Sequence, residues 1–160
     1  MSAGSWNVFA AALAAESECL GELGAAALAM TTALVFGPAA EIDAAERSVE
    51  TRRVLLAQAH LRRVTMMKAG FGDATLRQVC GYAPPALRLA LFSSLRDLRT
   101  RGIALQITVS NNKALINAGL ARIASTIAVL QKNLSDKSGT YRRRGTLVAS
   151  NGSLILSRKA

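Results

Sequence analysis

The chain has 160 residues, of which 51% are apolar and only 4% aromatic. That is the usual size of one domain, and the dominance of Ala and Leu favours helix packed on helix over sheet. The formal net charge is +10 and is unevenly placed: residues 1–50 carry seven acids against Arg47, whereas nineteen bases follow against Asp73, Asp97 and Asp136.

Cys19 and Cys80 do not make a metal-ligand spacing and read as reduced thiols. The most apolar run, residues 24–37, has about 14 residues, short of the roughly 18 that a membrane span needs. Glu16, Glu18 and Glu22 precede it, and no basic segment opens the chain. The expectation is a cytoplasmic protein without a signal peptide.

Residues 5–36 read as a first helix with Ser5 as its cap. Phe9, Leu13, Leu20, Leu23, Ala27, Met30 and Leu34 recur at helical spacing, with Glu16 and Glu22 assigned to the surface. The break is FGPAAE, where Gly37 suits the end of one helix and Pro38 the first turn of the next. A second helix then runs to about Ala69 on Ile42, Val49, Leu56, Leu61, Val64 and Met67. So short a connection predicts an antiparallel helical hairpin. In the 69–85 connection Gly70 and Gly72 stop the second helix. Asp73 is placed to cap a short turn through Leu76 and Val79, and Gly81, Pro84 and Pro85 lead into the next element.

From Pro85 to Leu134 one helical pattern persists. Leu91, Leu95, Leu98, Gly102, Leu105, Val109, Asn112, Ile116, Leu120, Ile123, Ile127, Leu130 and Leu134 form a heptad-like seam with a phase shift near the asparagines. About 50 helical residues reach roughly 75 Å. Two helices of about 30 residues cover only part of that length. The fold expected is therefore all-α: an antiparallel helical hairpin plus one long third helix, an elongated three-helix bundle or coiled coil over residues 1–134. Residues 135–160 are expected to be a flexible basic tail. Within it, TLVAS and SLILS flank Asn151-Gly152, a weak hairpin signal over 146–157.

The sequence offers little catalytic chemistry. His60 is the lone histidine and has no acid or nucleophile beside it by motif; phosphate loops, nucleophile elbows and metal clusters are missing. The reading is of a protein that is not an enzyme and needs no cofactor, metal or small-molecule ligand. Arg52–Arg53, Arg62–Arg63 and Arg142–Arg144 read as solvated faces or a soluble tail. Only Tyr141 lies by a basic run, so the aromatic interleaving of single-strand binders is missing.

The stretch SNNKALINAGLARIASTIAVLQ concentrates poor helix formers, Asn111, Asn112, Asn117 and Gly119, in mid-helix. Asn112 falls on the seam, where a lone polar residue sets register at some cost in stability. The other reading is that this part of the helix is under-covered and meets a partner. Leu115, Ile116, Leu120, Ile123, Ile127 and Leu130 would then be an apolar strip edged by Asn111, Asn112 and Asn117.

Three segments resemble the FlgN-type flagellar export chaperones: DATLRQVCGYAPPAL after a helix pair, NNKALINAGLARIASTIAVLQ in a long third helix, and TYRRRG after a polar linker. The resemblance covers about residues 70–145. It implies a cytoplasmic chaperone that binds the C-terminal helical segment of hook–filament junction proteins. Such a protein keeps its clients unassembled and delivers them to the gate of the flagellar type III export apparatus. It also implies client binding by Asn111–Leu134 and the tail, with Tyr141 and Gly145 as matching tail positions. The charge departs from the acidic balance associated with such chaperones and points to a partner surface of opposite sign. The rival readings are a basic helical nucleic-acid-binding protein and a self-assembling coiled coil.

Overall fold

A computed structural model describes residues 3–138, with side chains from residue 4 to 134. The described residues are all helical, in four helices: α1 (Ala3–Phe36), α2 (Ala39–Phe71), α3 (Leu76–Tyr82) and α4 (Pro85–Ser138). The expected 146–157 hairpin, Tyr141 and Gly145 lie outside the described residues. The chain divides into two compact units, Met1–Ile116 and Asn117–Ala160, so the division falls within α4.

In the first unit α2 runs back along α1. Phe71 packs on Trp6, with ring centroids 5.1 Å apart, while Arg63 and His60 meet Glu16 and Arg52 meets Glu22. Partner numbers fall as α1 numbers rise, which is an antiparallel pairing. The turn is two residues long. Gly37 N–H still bonds Ala33 O at 2.8 Å, and Pro38, extended at ψ 164°, precedes the first turn of α2. A Cβ at Gly37 would come within 2.8 Å of the Ala33 carbonyl oxygen, so the residue must be small.

α2 passes through Gly70 and ends at Phe71, two residues beyond the expected Ala69, with Gly72 as its cap. Gly72 has φ 62° and ψ −129°, a conformation open to glycine, and its N–H closes on Lys68 O at 3.0 Å. Asp73 is not the cap of α3. Thr75 is: its hydroxyl accepts from Gln78 N–H, and the Gln78 side-chain oxygen accepts from Thr75 N–H at 2.8 Å. A Thr at the cap with Gln three residues on satisfies two otherwise orphaned donors, an advantage Asp73 has no partner to match.

α4 lies parallel to α1. Arg101 Nη1 donates to Ser17 O at 3.0 Å and Asn112 Nδ2 to Ala27 O at 2.9 Å, with sequence separations of 84 and 85. A Cβ at Gly21 would collide with the Arg101 guanidinium, so a glycine there lets the arginine reach the α1 backbone.

The densest packing gathers Trp6, Phe9, Leu13, Val79, Cys80 and Leu91, with Phe71 stacked against Tyr82. Here the N-terminal part of α1, the end of α2, α3 and the start of α4 converge. Trp6, Phe9 and Phe71 supply its large apolar area, whereas Phe36, Phe92 and Tyr82 remain exposed. Cys80 is a free, fully buried thiol, and burial pushes its pKa up; Cys19 is free and half-buried.

Glu16 was expected on the surface, yet it is buried. It occupies the gap between Leu13 and Leu20 in the α1 ladder, and the α2 side answers with a buried Arg63. Two helices, Gly4–Phe36 and Pro85–Leu134, are long and apolar enough to cross a membrane by length and composition, with window hydropathies of 1.7 and 1.4. The sequence reading counted one uninterrupted apolar run. An 18-residue window that tolerates two charges reaches further.

Phe9→Ala empties a fully buried site in this packing. It is expected to lower the unfolding free energy by about 3–5 kcal/mol, measured by urea denaturation followed by circular dichroism.

Candidate partner-binding surface

Along the first part of α4 the seam is used. Leu91 is buried, Leu95, Leu98, Gly102 and Leu105 are half-buried, and Asn112 is buried. After Asn112 the character changes at one residue: every position from Lys113 to Leu134 is exposed.

At about 100° per residue, Ile116, Leu120, Ile123, Ile127, Leu130 and Leu134 fall within a stripe roughly 80° wide. It has the same phase as the buried seam before it. Leu120 is 60% exposed, Ile123 58% and Ile127 49%. Ile116 and Leu130 are likewise exposed. Leu115 is exposed but sits about 100° from Ile116, off the strip. Asn111 and Asn117 are exposed on other faces.

Asn112 corrects the expected partner set. Its amide is already committed inside the first unit: Nδ2 donates to Ala27 O, and Oδ1 accepts from the Thr31 hydroxyl at 2.7 Å. The polar seam residue therefore sets the α1–α4 register, with its amide nitrogen and its oxygen each engaged inside the unit. Burial on α4 stops at this contact, although α1 runs on for nine residues past Ala27 to Phe36.

A second polar cluster, missed by the sequence reading, pins α1 to α2. Both Glu16 oxygens are engaged. One accepts from Arg63 Nε, and the other accepts from Arg63 Nη2 at 3.2 Å and faces His60 Nδ1 at 2.7 Å. Burial alone would raise the Glu16 pKa; the hydrogen bonds and charges of Arg63 and His60 outweigh it and hold the carboxyl below its ordinary value of 4.5. The signal was available. Positions 9, 13, 16, 20, 23 and 27 step by four and three, and Glu16 is the only acid among them. Arg62–Arg63 was read as one solvated pair, but adjacent helical residues point about 100° apart, and only Arg63 turns inward.

Charge on α4 is one-sided. Between Asp97 and Asp136 it carries Arg99, Arg101, Lys113, Arg122 and Lys132 and no acid. The exposed strip is thus apolar, set in a cationic helix. Among the described residues no group of three or more His, Cys, Asp or Glu side chains is placed to hold a metal ion.

No family model, no curated protein and no solved structure matches the chain.

Three substitutions at these polar groups test their contributions to stability. Because the folded-state pKa of Glu16 is depressed, its contribution is present above the ordinary value of 4.5 and is lost as pH falls through the folded-state pKa. Urea midpoints measured from pH 7 down to about 3 should fall less steeply for Glu16→Gln than for the parent chain. Arg63→Met leaves the buried Glu16 carboxylate with His60 alone and should cost up to about 3–5 kcal/mol at pH 7. Asn112→Ala leaves the Thr31 hydroxyl and the Ala27 carbonyl each without one partner. It should cost about 1–3 kcal/mol in the same denaturation assay.

Proposed function

We propose that the protein is an export chaperone of the FlgN type. In this reading α1, α2 and α4 form a three-helix bundle whose coiled-coil seam, uncovered after Asn112, takes the C-terminal helix of a hook–filament junction protein in the cytoplasm. The observation that carries the proposal is the strip from Ile116 to Leu134: it keeps the phase of a packed seam yet is exposed throughout. An amphipathic helix laid along such a strip is the helix-in-groove mode of recognition. Shielding of this kind keeps the client's own apolar face from premature assembly, and holding one helix against another requires no catalytic group. Delivery to the export gate and a contribution of Tyr141 and Gly145 belong to the same proposal and rest on the sequence resemblance alone.

The strip favours a polypeptide partner over nucleic acid. A backbone binder needs its cations at the contact, whereas the contact positions here are Ile and Leu. Self-assembly through the strip would bring two acid-free cationic helices together, which like-charge repulsion opposes.

The Ile123→Asp/Ile127→Asp double variant tests the proposal. Both side chains are exposed, so the melting temperature should stay within a few degrees of the parent. Affinity for the junction protein encoded in the same genome should fall by about 100-fold or more in isothermal titration. Unchanged affinity in a folded double variant would remove the strip from the binding surface. Tight duplex DNA binding that weakens steeply with salt would favour the nucleic-acid reading instead.

A further inference from the structure

Within the first unit, a cavity of about 260 Å³ opens between α1, α2 and α4. Its walls are Met30 of α1, Val49 of α2, and Ile116 and the exposed seam residue Val109 of α4, with the buried pair Ala27 and Asn112 also lining it. Two exposed charges complete the lining, Glu46 on α2 and Lys113 on α4.

The spacing of the α4 residues is informative. Val109, Asn112, Lys113 and Ile116 stand at i, i+3, i+4 and i+7, the four-residue set that makes a hole for one knob in a coiled coil. Ala27, the α1 residue facing it, is too small to fill it. The volume falls below the roughly 300–1,000 Å³ of small-molecule sites. The polar group such a ligand would use for orientation, the Asn112 amide, is already bonded to Ala27 O and Thr31. The cavity therefore suits a single apolar side chain supplied from outside.

We infer that this hole receives one bulky apolar side chain, a Leu, Ile, Met or Phe, from a partner helix. That helix carries acidic residues on the flank facing α4 and a basic residue on the flank facing α2. The inference rests on the proposed client-binding strip, whose seam begins at this hole, and adds to it an anchor point and an orientation. Charge decides among occupants. The α4 side offers Lys113 at the cavity itself, on a helix with no acid between Asp97 and Asp136. The α2 side offers Asp43 and Glu46, at i and i+3 on one face; Glu50 on the same face is already paired with Arg53. A second copy of α4 would set cation against cation. So would the chain's own C-terminal residues, which carry Arg142, Arg143, Arg144, Arg158 and Lys159 without an acid after Asp136. A client helix with acids toward α4 and a base toward α2 matches both walls.

The test uses the full chain with Glu46 replaced by the photo-crosslinking residue p-benzoyl-phenylalanine, irradiated with the junction protein of the same cell. The expected product is a one-to-one adduct whose crosslinked peptide is an apolar position of the client's terminal helix. Adducts to the chain's own C-terminal residues or to a second copy would overturn the inference, as would a complex that forms without any adduct. A second variant, Val49→Trp, fills the hole from its exposed side. It should weaken client binding by about tenfold or more with helicity unchanged, and Lys113→Glu should weaken it in a salt-dependent way. If Ile123→Asp/Ile127→Asp abolishes binding while Val49→Trp leaves it intact, the anchor fails and the strip stands. If the parent chain binds no junction protein at all, strip and anchor fall together.

Discussion

The register between α1 and α4 governs the rest of the molecule. Arg101 on the Ser17 carbonyl and Asn112 on the Ala27 carbonyl and Thr31 hydroxyl fix it at two levels. Past those bonds none of the described α4 residues is buried. The tetrad of α4 positions beside Asn112 is left with one vacancy, and the strip after it has none of its apolar positions buried. An apolar pair in place of Asn112 and Thr31 would pack well in several registers. An amide that must find one carbonyl and one hydroxyl tolerates far fewer.

The two polar contacts in the interior divide this work. Glu16 with Arg63 and His60 ties α1 to α2, and Asn112 ties α1 to α4. A buried ion pair is a weak source of net stability, because desolvation of both charges offsets much of their attraction. Its clearer effect is on alignment: sliding α2 by one turn would strand a buried carboxylate and a buried guanidinium at once. Stability comes instead from the aromatic packing at the other end of the first unit, where Trp6, Phe9 and Phe71 meet α3 and the start of α4. Alignment and cohesion thus reside in different residues.

Much of this was legible in the sequence because helical periodicity is a strong signal in a chain rich in Ala and Leu. The all-helical class, the break at Gly37–Pro38, the short turn around Leu76–Val79 and the long helix from Pro85 follow from spacing and from Gly and Pro placement. The seam position of Asn112 was also readable, but its partners were not, since Thr31 and Ala27 lie more than 80 residues away and nothing local points to them. Glu16 was misassigned because acids default to the surface, although its place in the four–three ladder between Leu13 and Leu20 argued otherwise. Thr75 was passed over for Asp73 because the first acidic residue after the glycines drew the cap, whereas the Thr–Gln pair at three-residue spacing was the better signal. The strip from Ile116 onward was readable as apolar. Its exposure was not, because exposure depends on which helices end where.

The two-residue turn at Gly37–Pro38 carries a consequence for how such a protein would diverge. A Cβ at Gly37 would meet the Ala33 carbonyl oxygen, so the bend itself has little freedom in composition. Inserting or deleting seven residues in both helices beside it would change the hairpin length by about 10 Å and leave the Glu16–Arg63 and Asn112–Ala27 contacts in register. Size variation by whole heptads is therefore open to this hairpin at one place, without rebuilding either internal polar contact.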